Sequence, residues 1–540
     1  MPTLEWIGKE KVINHHQDVP FRVLERKYSY DENGQHDEDN GSENMIIRGD
    51  NLEALKALLP KYEGRVKCIY IDPPYNTGNE GWVYNDNVND PKIKKWLGEV
   101  VGKEGEDLSR HDKWLCMMYP RLKLLHKLLS DEGAIFISID DNELYSLKYT
   151  CDEIFGSSNY ISVITRPTGT HTGVVNRAIV GESDYILVYA KKLSSATIDG
   201  LPLTDKDTKI YDMEDEYGRF LIRPLRRTGG ENRREDRPNM YFPITAPDGT
   251  QVYPIGPTGY ESRWICNPEG YEYFKKENRI YWKQITDGDE TKWQVYQKFY
   301  LEDKKRAVSN LWDDLEGNKK ATRDLRAVFA EEDMSFDFPK PVQLIERIIQ
   351  IANDESAIIL DSFAGSGTTA QAVLNMNKAD NGNRKFILVE MMDYAESITA
   401  ERVKRVINGY GEGKNAVKGT GGNFIFYDLG DTLLLPDGNL NEDVGEAKIR
   451  DYIRYTETKE PMTDAVSTDE PYCLGTSRDT AYYFYYKKDE ITTLDYDFLS
   501  TVKTKAAGYI IYADLCTISD EELKKWNITF KKIPRDIAKV

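Results

Sequence analysis

Short apolar runs alternate with segments of helical periodicity over two separate parts of the chain. In the first part the apolar runs are MIIRG (45–49), VKCIYI (66–71), AIFISI (134–139) and YILVYA (185–190). Between these runs, apolar residues recur at helical spacing near 52–59, 114–129 and 143–155. Strands that are separated by helices predict a parallel sheet with helices on both faces.

The second part, after residue 335, repeats this alternation. It contains a predicted helix at 340–352, a strand at 357–361, a Gly-rich turn, a helix that begins at 368 and a strand at 385–390. The intervening residues 193–335 are rich in Tyr, Trp, Arg, Gly and Pro and show no sustained helical period. We therefore predict one doubly wound, mostly parallel α/β domain that is split by an insert with its own small core.

The two ends of the chain depart from this pattern. Residues 31–44, DENGQHDEDNGSEN, are polar and acidic, which predicts a loop or linker. From about residue 421 the chain is Tyr-rich, and we predict a separate C-terminal α+β domain there, for dimer or partner contacts. The predicted division is an N-terminal segment and linker (1–44), two halves of the α/β domain (45–192 and 336–420), the insert (193–335) and the C-terminal domain (421–540).

Composition excludes several classes of protein. No window approaches the roughly 20 apolar residues of a membrane span, and the first residues lack the basic-then-apolar order of a signal peptide, so we expect a cytoplasmic protein without membrane contact. The six cysteines are isolated, with no CxxC and no nearby His pair. The sequence therefore predicts neither a metal site nor a disulfide framework.

The net charge of −19 argues at first against a polyanionic partner. Residues 219–237 depart from this acidity, because they hold seven arginines against three acidic residues. A second basic cluster follows at Lys319, Lys320, Arg323 and Arg326. Taken alone, either stretch could be a solvated surface or an ion-pair network, or a place where phosphates bind.

The Gly-rich turn in AIILDSFAGSGTTA follows a predicted strand and opens a predicted helix. Gly365, Gly367 and Ala370 give the pattern G-x-G-x-x-A, which lets a ligand approach the backbone and the helix N-terminus. Glu390 ends the next strand, where an acidic residue commonly binds ribose hydroxyls. The turn fits a nicotinamide dinucleotide about as well as S-adenosylmethionine, and a turn needed only for packing stays open as well.

A second pattern, Asp72-Pro73-Pro74-Tyr75, follows the apolar run at 66–71. It therefore lies at the carboxyl end of a predicted strand, where ligands bind in open α/β sheets. Two prolines stiffen the backbone, so that the Asp carboxylate and an adjacent carbonyl offer two fixed acceptors, which suits an exocyclic amino group. Tyr75 would stack on a planar base. The pattern predicts methyl transfer to an aromatic amine that is held in line with a sulfonium methyl.

DPPY together with FAGSG resembles the amino-group DNA methyltransferases, which methylate adenine N6 or cytosine N4. The order, DPPY first and FAGSG second with a long insert between, resembles their β class. The longer run YIDPPYNTGNEGWVYND, the chain length and the extra C-terminal region resemble the modification subunit of type III restriction-modification systems. The resemblance implies a Rossmann-like methyltransferase sheet with permuted motif order, S-adenosylmethionine as cofactor, base flipping, and a target-recognition domain in the insert.

The resemblance also assigns candidate residues by motif. The catalytic loop is Asp72, Pro73, Pro74 and Tyr75. The cofactor site comprises Asp50, Asn51, Lys340, Asp361, Phe363, Ala364, Gly365, Ser366, Gly367, Thr368 and Glu390. For Asp50, an N-cap of the helix at 52–59 is an equal and compatible interpretation. Candidate DNA contacts in the insert are Arg223, Arg226, Arg227, Arg233 and Arg234.

The implied partners are double-stranded DNA, a second copy of the chain and an ATP-dependent restriction subunit. This chain has no GxxxxGK[ST], so motor and nuclease functions are expected elsewhere. Cytosine-N4 methylation, an orphan modification enzyme, a nicotinamide-dependent oxidoreductase and a non-catalytic DNA-binding specificity subunit remain alternatives. A protein glutamine methyltransferase is disfavoured, because such enzymes more often carry Asn at the position of Asp72.

Overall fold

The computed structural model describes residues 3–77, 99, 110–169, 181–287, 290–302, 305–330, 336–352, 354–460 and 469–538. The part of the YIDPPYNTGNEGWVYND run that follows residue 77 lies outside these residues. The chain forms two compact units, one of Met1–Ile198 with Ser309–Val540 and one of Asp199–Val308. Within the described ranges, no helix is long and apolar enough to cross a membrane.

The strands are given in chain order. They are β1 (Arg22–Asp31), β2 (Gly34–His36), β3 (Met45–Arg48), β4 (Val66–Ile71), β5 (Leu129–Ile139), β6 (Tyr160–Pro167), β7 (Ser183–Ala190), β8 (Met213–Asp215), β9 (Gly218–Pro224), β10 (Ile244–Thr245), β11 (Gln251–Val252), β12 (Ile280–Asp287), β13 (Glu290–Tyr300), β14 (Ile358–Asp361), β15 (Lys385–Glu390), β16 (Gly409–Tyr410), β17 (Val417–Lys418), β18 (Phe424–Thr432), β19 (Cys473–Ser477), β20 (Thr480–Phe484), β21 (Thr493–Leu494), β22 (Gly508–Ala513), β23 (Leu515–Cys516) and β24 (Ile528–Lys532).

The α-helices are referred to by their bounds. They span Lys9–Val12, His15–Asp18, Asn51–Tyr62, Arg110–Leu128, Leu144–Cys151, Asp205–Thr208, Pro268–Lys276, Asn318–Phe329, Val342–Ala352, Thr368–Asp380, Glu401–Asn408, Glu446–Thr458, Tyr496–Thr501 and Asp520–Lys525.

A ten-stranded sheet forms the centre of the first unit. Its strand order is β2-β1-β18-β3-β15-β14-β4-β5-β7-β6. The pairs from β18 to β5 are parallel, as the alternation of strands and helices predicted, whereas the pairs outside them are antiparallel. β4 is buried at all six positions, which explains why it is apolar at every position except Lys67.

The two predicted motifs follow neighbouring strands of this sheet. β14 pairs in parallel with β4, with Ile359 opposite Cys68 and Leu360 opposite Ile69. The carboxyl ends of parallel strands lie at the same edge of a sheet, so Asp361 and Asp72 emerge side by side. Residues that are almost 300 positions apart in the chain thereby come together in one unit.

The unit Asp199–Val308 falls within the predicted insert but is shorter than it. It contains the four-stranded antiparallel sheet β12-β13-β9-β8, and Leu225, Trp264 and Val295 are buried in its core. The helix Asn318–Phe329, which lies within the predicted insert, belongs instead to the first unit. Apolar residues recur in this helix at helical spacing, and Leu325 and Val328 are buried. The prediction that 193–335 has no sustained helical period was therefore wrong for this segment.

Both ends of the chain contribute to the first unit. β1 pairs with β18, which attaches the N-terminal segment to the main sheet, and β2 lies inside the stretch 31–44 that was predicted as a loop. A further sheet, β19-β20-β22-β24, follows near the C-terminus. Tyr452, Phe484 and Tyr512 are buried in the same apolar core as Ile69 of β4. The five-part domain division itself remains a prediction.

Candidate active site

The loop that follows β4 presents Asp72 beside a buried lysine. Lys340 Nζ lies 2.9 Å from Asp72 Oδ1, and only 6% of Lys340 is exposed. The two groups form an ion pair, but Asp72 Oδ1 has no aligned hydrogen-bond donor among the described residues. The ammonium of Lys340 therefore lies directly against the carboxylate oxygen of the loop.

The helix Arg110–Leu128 supplies a hydrogen-bond donor to this loop. Trp114 is fully buried, and its indole Nε1 donates to the Pro74 carbonyl at 2.6 Å. That carbonyl is therefore engaged by a donor from a neighbouring helix. The predicted use of the Asp72 carboxylate and an adjacent carbonyl as a pair of acceptors stays a prediction.

Tyr75 and Asn76 follow the two prolines in this loop. Lys340 Nζ lies 4.7 Å from the centroid of the Tyr75 ring, which is 8% exposed. Burial raises the pKa of the Tyr75 hydroxyl well above its usual value, so the group stays neutral. Asn76 has a left-handed backbone (φ 58°), and its Nδ2 donates to Glu143 Oε1 at 2.5 Å. The turn after Tyr75 is therefore held from behind by a buried carboxylate.

The Gly-rich turn between β14 and the helix Thr368–Asp380 has the geometry predicted for it. Gly365 and Gly367 have φ values of 53° and 81°, in the left-handed region. A Cβ at Gly367 would meet the Thr399 carbonyl oxygen at 3.0 Å. Glu390 Oε2 accepts from the Gly365 amide at 2.8 Å and Oε1 from the Met392 amide at 2.9 Å. Glu390 thus supports the turn, and its predicted contact with a ribose stays a prediction.

Asp361 is a buried carboxyl group at the start of this turn. It accepts from Thr369 Oγ1 at 2.5 Å and from the Phe363 amide at 3.0 Å. Burial raises the pKa of Asp361 to about 7. The charges of Asp72 and Glu390 also act to raise this pKa, whereas the two hydrogen bonds act to lower it. The group therefore titrates near neutral pH.

Asp50 and Asn51 lie at the start of the helix Asn51–Tyr62. Asp50 Oδ1 accepts from the Leu52 amide at 2.8 Å, so the N-cap interpretation of Asp50 is confirmed. Asn51 is buried and its Nδ2 donates to the Ser362 carbonyl at 3.1 Å. The buried Arg121 contacts both side chains. Asn51 therefore braces the Gly-rich turn, and direct cofactor contacts of either residue stay predictions.

One cavity joins the two motifs. Its lining residues are Tyr70, Asp72, Phe336, Phe338, Pro339, Lys340, Asp361, Phe363, Ala364, Gly365, Ser366, Thr368 and Thr369. Most residues predicted for the cofactor site therefore surround a single space beside Asp72. Lys340 was predicted only on the cofactor side, whereas its ammonium points to the catalytic loop.

Several residues near the site were missed by sequence reasoning. Trp114 and Glu143 support the catalytic loop, and Arg166 pairs with Asp184 at 3.3 Å. Burial raises the pKa of Asp184, against the opposing charges of Lys340 and Arg166. Arg402, which contacts Ser366, was missed as well. A sequence signal existed for it, because Arg402 is four residues before the buried Val406 and so falls on the apolar face of its helix.

The arginines predicted to contact DNA lie in the unit Asp199–Val308. Arg234 is neutralised there, because its Nη1 pairs with Glu261 Oε2 at 2.8 Å. Among the described residues, no carboxylate pairs with Arg226 or Arg227, whose guanidinium groups contact backbone carbonyls. Arg226 and Arg227 are therefore better suited to phosphate than Arg234. In the first unit, Lys320 is likewise paired, with Asp324 at 2.6 Å.

Comparisons with known proteins agree with this geometry. A family model described as DNA methylase matches residues 66–401, more than half of the chain. The EcoPI Mod subunit of a type III restriction-modification enzyme, from Escherichia phage P1, is 33% identical over 72% of this chain and 63% of its own length. The EcoP15I Mod subunit from Escherichia coli is 32% identical over 72% of this chain and 64% of its own length.

Two further relatives differ in coverage. The type II methyltransferase M.KpnI from Klebsiella pneumoniae is 35% identical over 64% of this chain and 80% of its own length. A solved M1.HpyAVI–SAM complex aligns with 66% of this chain and 99% of that chain, at 14% identity and a TM-score of 0.29, too distant to inform the site. The chain spans less than two thirds of the length of the two type III subunits.

Proposed function

The chain belongs to the DNA methylase family, and we propose that it transfers a methyl group from S-adenosylmethionine to adenine N6 within a short DNA sequence. The observation that carries this proposal is the placement of Asp72 and the Gly-rich turn around one cavity. At this cavity, the acceptors for an amine lie within reach of the backbone turn for an adenosine ligand.

The side chains of the cavity fit the proposed cofactor. Asp72 and Asp361 supply carboxyl groups, which suit a sulfonium cation, and the glycine turn leaves room for the ligand against the backbone. When bound, the cofactor supplies an electrophilic methyl group. The family match also disfavours the oxidoreductase that the Gly turn alone had left open, since hydride transfer has no use for the acceptor pair.

The catalytic loop acts by position. An aromatic amine is a weak nucleophile because its lone pair is delocalised into the ring. The Asp72 carboxylate and the Pro73 carbonyl accept hydrogen bonds from the two N–H groups of the amine. These bonds localise the lone pair on the nitrogen and direct it into the cavity. The prolines and Trp114 keep these acceptors fixed, so that most of the rate enhancement comes from orientation.

The target base must leave the duplex to reach this loop. A stacked adenine cannot place its amino group against Asp72, so the base is flipped and stacks against Tyr75. Lys340 lies over that ring and pairs with Asp72, so its ammonium moves aside or rearranges when the base enters. Arg226 and Arg227 hold the DNA backbone in this proposal.

We propose that the chain is the modification subunit of a type III restriction-modification system. The two Mod subunits that it resembles over 72% of its length support this assignment. A homodimer, an ATP-dependent restriction subunit and a cytoplasmic location are part of the same proposal. The second candidate is a modification enzyme without a restriction partner, which is favoured by the 80% coverage of M.KpnI.

Single-molecule sequencing with modified-base detection tests the function on DNA from cells that express the chain. Cells that express Asp72→Ala are the control, after the purified variant has been shown to bind S-adenosylmethionine. We expect N6-methyladenine at one short motif on one strand, absent in the variant. N4-methylcytosine would replace the proposed substrate, marks on both strands would favour the enzyme without a restriction partner, and no mark would refute the activity.

A further inference from the structure

Lys340 is a buried cation that is paired with the catalytic carboxylate. It precedes the helix Val342–Ala352, and 6% of it is exposed. Its Nζ lies 2.9 Å from Asp72 Oδ1 and 4.7 Å from the centroid of the Tyr75 ring. In the part of the chain that the structure describes, Asp72 is the only carboxylate that pairs with it. The ammonium therefore occupies the place that the proposed function gives to the target base.

A base that enters this site takes the counter-ion of Lys340. The amine donates to the Asp72 carboxylate and the ring stacks on Tyr75, so the ammonium has to leave both groups. A buried ammonium that loses its carboxylate is costly unless another carboxylate receives it. Bound S-adenosylmethionine adds to this cost, because its sulfonium repels a second cation. The displaced ammonium therefore requires a second carboxylate within reach of the Lys340 side chain.

Asp184 supplies such a carboxylate at the same edge of the sheet. It belongs to β7, where the next residue, Tyr185, lies opposite Ile139 of β5. Only β5 separates β7 from β4, so the start of β7 lies about 10 Å from the end of β4, where Asp72 emerges. Burial raises the pKa of Asp184, and the charge of Lys340 is the largest of the charges that oppose this effect. The ammonium therefore lies where it can act on both carboxylates.

Arg166 holds Asp184 in place but leaves it room for a second cation. Arg166 is 1% exposed, and its Nη2 lies 3.3 Å from Asp184 Oδ2 and donates to Asn318 Oδ1 at 2.8 Å. Among the described residues, Arg166 is the only cation that pairs with Asp184. An ionised carboxylate has two oxygens and accepts from several donors. Asp184 can therefore accept Lys340 without losing Arg166.

Asp361 is less suited to receive the ammonium. It is the other carboxyl group that lines the cavity together with Asp72 and Lys340. Its Oδ1 already accepts from the Phe363 amide and its Oδ2 from the Thr369 hydroxyl. A third interaction would have to displace or share one of these hydrogen bonds.

We propose that Asp184 is a positioning residue for methyl transfer, which takes the ammonium of Lys340 from Asp72 when the target base enters and returns it when the base leaves. This inference rests on the proposed function, because the target amine is the group that displaces the ammonium. Lys340 thus neutralises Asp72 in the empty site and exposes it only to the substrate. Two carboxylates and two cations, Lys340 and Arg166, balance in both arrangements.

A double-mutant cycle on single-turnover methyl transfer tests this exchange. The substrate is a duplex that carries the motif found by modified-base sequencing. In Asp184→Asn the ammonium stays on Asp72, so we expect the rate constant to fall about 10- to 100-fold. The Kd of the duplex, which phosphate contacts dominate, should change less than about threefold. In a Lys340→Met background, Asp184→Asn should lower the rate constant less than about threefold, since no ammonium competes for Asp72.

Arg166→Gln is the matched control, because it removes the other partner of the same ion pair. It keeps the Asp184 carboxylate available to Lys340, so it should slow transfer less than about fivefold. If Asp184→Asn does not fold, its combination with Arg166→Met replaces the pair without leaving an unpaired buried guanidinium. This double variant should show the same loss of rate and the same dependence on Lys340.

Several results would overturn the inference. Equal slowing by Asp184→Asn with and without Lys340 would mean that Asp184 only supports the fold. Equal slowing by Asp184→Asn and Arg166→Gln would assign the effect to the ion pair as a whole. An unchanged rate constant in Asp184→Asn would mean that the ammonium moves elsewhere.

Two further results concern the reaction itself. Complete loss of transfer in Lys340→Met would mean that Lys340 takes part in the reaction and does not merely compete for Asp72, which contradicts the exchange. A wild-type chain that transfers no methyl group to DNA would refute the proposed function, and this inference with it.

Discussion

Replacement of Asp361 by Asn is expected to change how the stability of the ligand-free protein depends on pH. Burial raises the pKa of this carboxyl group from its usual 3.8 to about 7, with smaller contributions from Asp72 and Glu390. The folded protein therefore holds this proton more tightly than the unfolded chain. The stabilisation that results is complete below about pH 4 and is lost as the pH rises through about 7.

The size of the effect follows from that change in pKa. A rise from 3.8 to about 7 corresponds to about 4 kcal/mol of folding free energy between acidic and alkaline pH. Asn resembles the protonated form and does not titrate in this range. Asp361→Asn should therefore match the wild type near pH 4, apart from a constant offset for altered hydrogen bonds with Thr369 and Phe363, and gain on it steadily up to pH 8.

Urea denaturation at several pH values between 4 and 8 measures this difference. The wild type and Asp361→Asn are compared in the same buffers, so that the titration of all other groups cancels in the difference. Glu355→Gln is the control, because Glu355 is an exposed carboxylate next to β14. Parallel stability profiles for wild type and Asp361→Asn would refute the elevated pKa, and with it the view that this carboxyl is shielded from water.

The remaining predictions concern the turn, the catalytic loop and the insert. Gly367→Val should weaken S-adenosylmethionine binding by about 10- to 100-fold in calorimetry, because the left-handed backbone and a nearby carbonyl oppose a side chain. Trp114→Phe should slow single-turnover methyl transfer by about 10- to 100-fold with cofactor and DNA affinities unchanged, whereas Trp312→Phe should not. Exchange of Arg226 and Arg227 together for Gln should reduce the slope of log K against log salt by about 2 in DNA-binding titrations.

Each of these predictions has a result that would contradict it. Unchanged cofactor affinity in Gly367→Val would remove the turn from the binding site. Trp312 is as buried as Trp114 and donates to a carbonyl at 2.8 Å, so equal slowing in both Trp variants would point to lost packing. For the insert, Arg234→Gln is the paired control, since Glu261 already neutralises Arg234. If the salt slope changes more in Arg234→Gln than in the double variant of Arg226 and Arg227, the phosphate contacts lie elsewhere.

The central part of the fold was predictable because its strands are buried on both faces. β4 is buried at all six positions and β15 at five of six, and both are mostly apolar, so they could be located and assigned to a parallel sheet from the sequence. The outer strands gave weaker signals, since β1 mixes buried and exposed positions and most of β6 is only partly buried. Their antiparallel pairing depends on partners that are far away in the chain, and the alternation of local elements carries no information about such partners.

The candidate site divides in the same way. Asp72 to Tyr75 and the Gly-rich turn could be identified because backbone rigidity, left-handed turns and stacking require particular residue types in sequence. Trp114 could not, since its role depends on a carbonyl that another segment supplies. Arg402 could be placed on the apolar face of its helix, but its contact with Ser366 depends on another segment. Arg234 shows the reverse case, where a predicted contact is weakened by a neighbour, Glu261, that the sequence does not place beside it.

The sequence by itself determined which groups the candidate site offers, because acceptor groups on a stiff loop and a glycine turn are local properties of consecutive residues. Only the tertiary structure decided how that chemistry is arranged. The pairing of β14 with β4 brings the two motifs to one cavity, and helices behind them supply donors to the Pro74 carbonyl and the Ser366 hydroxyl. Such choices follow from contacts between distant segments, whose energies depend on burial and geometry in the folded chain.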